Sequence, residues 1–249
     1  MKKQRNYLKE SKSSIKLVVT IFVASLLLGL LFANPLSTII NPLLKNLIEQ
    51  TENLNTLELI IFIFLNNALT SLIGLFLGLF LGIFPIIVAV TNGVILGYVL
   101  ERTAQISILE FWRLLPHGIF ELPAVFISLG MGLKLGIDSI KNYNYIYKKN
   151  AKMQILGVIS ILFALIGIIM LRSAATIEQN SLTGISTLTL SLFSLILMFP
   201  FIILFFAMNR KIRIYNFQNI TSALKVFLRL IIPLLIIAAV IEGLLINIV

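Results

Sequence analysis

His117 is the only histidine in the chain, and Glu121 follows it by four residues inside Pro116–Gly136, PHGIFELPAVFISLGMGLKLG. Residues i and i+4 share one face of a helix, so this spacing aims an imidazole and a carboxylate the same way. Such a pair can shuttle a proton, complete a metal's ligand set with water, or hydrogen-bond to neighbouring helices. The setting sharpens the question: 59% of the residues are hydrophobic, and an ionisable group at membrane depth costs about 2.5–3.5 kcal/mol or more. The pattern HxxxE is far less specific than HExxH, and no second histidine exists to complete a zinc-protease motif. The absence of cysteine removes disulfides, a thiolate nucleophile and cysteine metal sites. There is no G-x-S-x-G elbow, phosphate loop or dinucleotide fingerprint.

The elements that must position this pair are membrane helices. Mean hydropathy is +1.03, only 12% of residues are charged, and several apolar runs approach spanning length. These runs are apolar on all faces, which excludes a soluble core, and they are not the period-two strands of a β-barrel. Seven candidate spans stand at 16–33, 57–81, 84–100, 117–137, 153–171, 186–207 and 225–247. The reading is an all-α polytopic transmembrane bundle of six to seven spans, a single integral membrane domain over 1–249 with a basic tail at 1–15. The fourth span is the weakest, because it holds Glu121, Pro123, Lys134 and several glycines; a re-entrant or kinked helix is its alternative. The basic N-terminus before Leu17–Ala33 resembles a signal peptide, but the run is long and no small-x-small site follows, so a retained span is expected.

The net charge of +10 does not indicate nucleic acid, because the basic residues sit in short blocks between spans. With the N-terminus in the cytoplasm, sixteen of the twenty basic residues fall inside. Lys45, Arg102, Arg113 and Arg172 fall outside with most of the acids, as the positive-inside rule expects of a multi-pass cell-membrane protein. The C-terminus is then external. Two external segments read as amphipathic. Leu36, Ile39, Ile40, Leu43, Leu44, Leu47 and Ile48 form one stripe. Asn34-Pro35 and Asn41-Pro42 predict two short helices in tandem, lying on the membrane or roofing the bundle. In Ser107–Leu115, Ser107 and Glu110 suggest a capping box, Trp112 an interfacial anchor, and Pro116 a stop. The loop Lys141–Lys149 reads as an interfacial belt and orientation signal, with anionic-lipid docking as the sharper alternative.

Small residues repeat at four-residue spacing: Gly74, Gly78 and Gly82; Gly93 and Gly97; Gly132 and Gly136. These faces serve close packing within the bundle or a homodimer. The orientation places Asn66, Asn67, Asn92, His117, Glu121 and Glu242 where they could converge on one external cavity. Three readings of that cluster stand side by side. It is hydrogen-bonded structural glue, a path or pocket for a lipid, ion or peptide, or a catalytic or metal-bearing site with His117, Glu121 and Glu242 as candidates.

Pro116–Gly136 resembles the signature of the stage II sporulation protein M family, also called DUF95: PHG, an E-L-P-A block and a following Gly-x-(Lys/Arg)-Leu-Gly. Asn66-Asn67 through Gly82, Asn92-Gly93 with Leu96-Gly97, and the ending AAVIEG (Ala238–Gly243) add weaker matches in order over residues 57–249. The resemblance implies an integral membrane scaffold. In endospore formers the family member works with a peptidoglycan hydrolase and an amidase-like partner during engulfment, while many relatives occur where no spore is made. The compact family form has fewer spans than the seven read here, so the sporulation role is not carried over by name. The expectation is a non-enzymatic organiser of a cell-envelope complex, binding membrane lipids, envelope or membrane protein partners or a second copy, with no cofactor and no nucleic acid. A transporter or lipid-handling protein is the runner-up, and a membrane-embedded (metallo)hydrolase is third.

Overall fold

The computed structural model describes residues 7–78, 82–106, 111–147 and 210–247; the side chains at 106, 111–117, 139, 142–147, 210–216 and 246–247 lie outside that description. Regular structure among the described residues is helical. The helices are α1 (Lys12–Leu31), α2 (Ala33–Thr51), α3 (Thr56–Leu77), α4 (Ile83–Ile106), α5 (Phe111–Tyr147), α6 (Arg210–Val226) and α7 (Ile232–Asn247), with a π-helical turn at Phe227–Ile231 between the last two. Among the described residues five stretches are long and apolar enough to cross a membrane: Lys12–Leu31, Thr56–Leu77, Ile83–Gln105, Gly118–Asp138 and Phe217–Leu245. The protein is a multi-pass membrane protein. The expected spans 153–171 and 186–207 lie outside the described residues.

The chain divides into two compact units, residues 1–139 with 218–249, and residues 140–217. In the second unit the described ends, 140–147 and 210–217, are helical. This corrects the reading of Lys141–Lys149 as a loop, because helix α5 runs on to Tyr147, and α6 begins at Arg210. Neither segment carries a Gly or Pro to stop a helix.

Two glycine seams hold the first unit together. On α1 the buried residues Val18, Phe22, Ser25 and Gly29 recur at helical spacing, and this face meets α4 running parallel to it. A methyl group on Gly93 would come within 2.6 Å of the Phe22 carbonyl oxygen, and one on Gly29 or Gly97 would collide with backbone carbonyls of Val94 or Leu26. On the second seam α3 and α5 also run parallel. Gly78 lies against the Gly132 peptide, Gly132 against Gly74, and Gly136 against Gly78 and Gly82. Ser128 Oγ donates a hydrogen bond across this seam to the Ser71 carbonyl at 2.7 Å. Without a hydrophobic force between helices in lipid, such close backbone approach is what contact energy requires. All seven glycines of the sequence pattern face other helices of the same chain. Gly82, at φ +72°, also makes the turn out of α3, a conformation that suits glycine.

The fourth expected span is an unbroken helix. Half of its most apolar stretch is buried in protein, against 28% in α1, α3 and α4. Its low hydropathy therefore reflects a central position, where glycines meet other backbones rather than lipid. Helix α5 also runs through Pro116, which does not end it as expected. The rings of Pro116 and Pro123 each remove one amide donor from the helix, a loss that membrane helices tolerate where neighbouring groups satisfy the freed carbonyls. The proposed capping box at Ser107–Glu110 falls outside the described residues.

A second correction concerns α2, which is one helix with Pro42 inside it rather than two in tandem. The two asparagines do not act as N-caps. Asn34 Oδ1 accepts from Arg102 Nη2 at 3.0 Å, and Asn41 Oδ1 accepts a short hydrogen bond from the Tyr98 hydroxyl. Those bonds dock α2 on the end of α4, around a small core of Ala33, Ile40 and Tyr98.

Near the C-terminus the Ile232 amide bonds to the Phe227 carbonyl, closing the wider π turn. Pro233 follows immediately. Its ring cannot donate to the Arg229 carbonyl and crowds it, and the widened turn relieves that conflict. Phe227 and Ile231 within the turn are buried.

Candidate functional site

A cleft of about 200 Å³ lies at the end of the first unit where α3 begins and α7 finishes. It is lined by Leu47 and Thr51 of α2, Leu59, Phe62, Ile63, Asn66 and Asn67 of α3, Glu121 of α5 and Glu242 of α7. Each wall follows from local sequence. Asn55 caps α3: its side chain accepts from the Glu58 amide, and the Glu58 carboxylate accepts from the Asn55 amide, both at 3.0 Å. This reciprocal capping box fixes the start of the helix. Positions 59, 62, 63, 66 and 67 then share one face by helical periodicity. Gly243 meets the Ile60 side chain so closely that no side chain fits between them. That approach brings the neighbouring Glu242 to the cleft.

Of the six polar residues expected to converge, the structure brings four to one cleft: Asn66, Asn67, Glu121 and Glu242. Asn66 is exposed, while Asn67, Glu121 and Glu242 are half-buried. Asn66 Nδ2 donates to Asn67 Oδ1 at 3.4 Å, and Thr51 Oγ1 donates back to the Leu47 carbonyl at 2.9 Å. Asn92 is not part of the cleft. It is exposed on α4 and donates to the Val88 carbonyl of its own helix at 2.8 Å. Its neighbour Gly93 occupies the seam, and one residue along a helix is a turn of about 100° away from that face. The backbone of His117 is helical, one turn before Glu121, and its side chain lies outside the described residues.

The described cleft lining offers two carboxylates, two amides and a hydroxyl, with no cationic side chain among the described lining residues. It can therefore accept hydrogen bonds from a donor-rich or cationic group. Its volume is below the roughly 300–1,000 Å³ of small-molecule pockets, which suits a side chain or head group better than a large substrate. Among the described residues no three of His, Asp and Glu gather as a metal set.

Two polar stations escaped the sequence reading. At the cleft end, Arg102 Nη2 also donates to the Ala33 carbonyl at 3.3 Å, and its guanidinium lies 5.2 Å from the centre of the Tyr98 ring. The signal was the Tyr98–Arg102 spacing of four, opposite the two Asn-Pro pairs. At the other end, Lys134 pairs with Asp138 at 2.8 Å and Glu10 at 3.7 Å, and stands 5.6 Å from the Tyr7 ring centre. Here the Lys134–Asp138 spacing was visible, but the contact with the N-terminal segment was not.

The sequence model described as Stage II sporulation protein M matches residues 18–181. The chain belongs to the stage II sporulation protein M family. The match runs from within α1 through α5, so it includes Asn66, Asn67 and Glu121 and ends before Glu242. No curated protein and no solved structure matches the chain.

Proposed function

We propose that this member of the family is a static membrane scaffold whose polar cleft, at the external face, seats a protein partner of the envelope. The observation that carries the reading is the pair of glycine seams. Backbones in direct contact along α1–α4 and α3–α5 leave no side-chain layer on which helices can slide. Close-packed interfaces are bistable or fixed rather than continuously deformable. The cleft is a shallow seat at one end of the first unit, built from four helices and a short polar lining. The orientation rests on charge. Lys9, Lys12, Lys16, Lys134 and Lys225 outnumber Glu10 and Asp138 at one end, while Glu49, Glu52, Glu58 and Glu101 outnumber Lys45, Arg102 and Arg113 at the other. The positive-inside rule puts the first end in the cytoplasm.

Because the chain has no native cysteine, single and paired cysteines can be placed cleanly. Spin labels on Leu31 and Ile119 report the cleft end, and labels on Lys12 and Lys225 report the other; all four positions are exposed. A scaffold gives one distance population for each pair in lipid bilayers, unchanged by Glu121→Gln or Glu242→Gln. A transporter would give two populations, with one end opening as the other closes, and that result would end the scaffold reading. For orientation, a membrane-impermeant maleimide applied to intact cells should label Lys45→Cys, and should label Lys9→Cys only after permeabilisation.

A further inference from the structure

Helix α2 keeps an apolar row uncovered: Ile39 is 64% exposed, Leu43 50% and Ile48 60%. The strip between them is committed, since Ala33, Ile40, Leu36 and Leu44 pack with Tyr98, Val94 and Val99. Positions 39 and 43 are one turn apart, and 48 lies across the docked face, so bare apolar groups flank the docked strip on both sides. The polar face carries Thr38, Lys45 and Glu49, the last two joined by an exposed ion pair.

The chain also pins both ends of this helix to the membrane. Helix α2 starts directly after α1, with only Phe32 between them, and four residues separate Thr51 from the start of α3. Both neighbours are long and apolar enough to cross the bilayer. Their adjoining ends are themselves bare and apolar, with Leu31 76% exposed, Phe32 53% and Leu57 66%. The uncovered row of α2 is therefore continuous with the lipid-facing surface of two spans. A 19-residue helix is about 28 Å long at 1.5 Å per residue. Tethered this tightly at both ends and bonded to α4 by Arg102 and Tyr98, it has no length of linker with which to stand away from the bilayer.

We infer that α2 lies in the plane of the membrane, with Ile39, Leu43 and Ile48 immersed in the lipid of the leaflet at the cleft end and Thr38, Lys45 and Glu49 facing water. The occupant of the bare row is lipid, as for other in-plane amphipathic helices. Through Leu47 and Thr51 the same helix lines the polar cleft. The helix is thus the boundary between cleft and leaflet.

The test uses the full-length protein reconstituted in phosphatidylcholine vesicles, with single cysteines at 38, 39, 43, 45, 48 and 49 carrying a nitroxide. Every site is on the helix surface, so the labels do not challenge the core. The expected result is oxygen accessibility that is high at 39, 43 and 48 and low at 38, 45 and 49, with a water-soluble nickel reagent showing the reverse order. Nickel access at 39, 43 and 48 would overturn the inference by showing them in water. Shielding of those three sites from both reagents would overturn it as well, by showing that protein, such as a second copy of the chain, covers the row.

Discussion

The glycine seams can be tested by adding one methyl group at a time. At Gly93 an added Cβ meets the Phe22 carbonyl oxygen at 2.6 Å, Ser25 Cβ at 2.9 Å and the Leu26 amide nitrogen at 3.2 Å. Ordinary contact begins near 3.4 Å, so α1 and α4 must part by about 0.8 Å. Two of the three obstructing atoms are backbone and cannot rotate away. Overpacking of this kind costs about 1–3 kcal/mol. Alanine returns up to about 1 kcal/mol of helix propensity over glycine, which complicates any single measurement. Gly118 supplies the control, because it is also inside a helix but the nearest atom to its Cβ would be Leu122 Cδ1 at 3.9 Å. The propensity term is shared by both sites, so the difference between Gly93→Ala and Gly118→Ala isolates the steric term. Gly93→Ala should be the less stable of the two by about 1–3 kcal/mol, read from reversible unfolding in mixed micelles. Equal stabilities within about 0.5 kcal/mol, the size of ordinary surface effects, would refute the backbone-contact account of the seam. So would a Gly93→Ala protein more stable than Gly118→Ala.

Tyr98→Phe removes the hydroxyl bond to Asn41 while keeping the ring under Arg102. It should cost about 0.6–1.7 kcal/mol and raise amide hydrogen exchange in α2 before any other helix; uniform exchange changes would argue against a local clamp. Lys134→Met leaves Asp138 without its 2.8 Å partner, at side-chain exposures of only 13% and 12%. A loss of about 1–3 kcal/mol is expected from stranding the carboxylate, with most of it recovered in the Lys134→Met/Asp138→Leu double variant. Glu10→Gln should cost less than about 1 kcal/mol, because Glu10 is half exposed at 3.7 Å; a loss as large as that of Lys134→Met would reverse the ranking of the two pairs.

The helical membrane architecture was legible because all-round apolar runs admit few alternatives in lipid. The seams were legible as four-residue glycine spacing, but not their partners, since spacing along one helix does not say which helix it meets. Reading α2 as two helices failed for a specific reason. Asn-Pro is a sound local signal for a helix start, yet both asparagines are drawn into bonds with Arg102 and Tyr98, about sixty residues away in sequence. The convergence of Asn66, Asn67, Glu121 and Glu242 followed from counting depth along antiparallel spans. Depth does not give rotation, however, and Asn92 at its place beside Gly93 shows the cost of that omission. The capping box at Asn55 and Glu58 is legible in the sequence as Asn-x-x-Glu. It fixes where α3 begins, while Gly74 and Gly78 packed against α5 fix its rotation.

The composition of the cleft bears on how far family membership reaches. Three of its walls, α2, α3 and α5, lie within the matched residues 18–181, and the fourth, α7, lies beyond them. The fourth wall depends on two features of the C-terminal helix. Gly243 allows close approach to Ile60, and the π turn ahead of Pro233 resets the helix by part of a turn, so that Ala223, Val226 and Phe227 join Ile231 and Leu235 in one buried cluster. Without that reset, the buried positions from Ser222 to Ala239 would spread around a straight helix instead of sharing one side. A side chain at Gly243 should therefore displace Glu242 without disturbing either glycine seam.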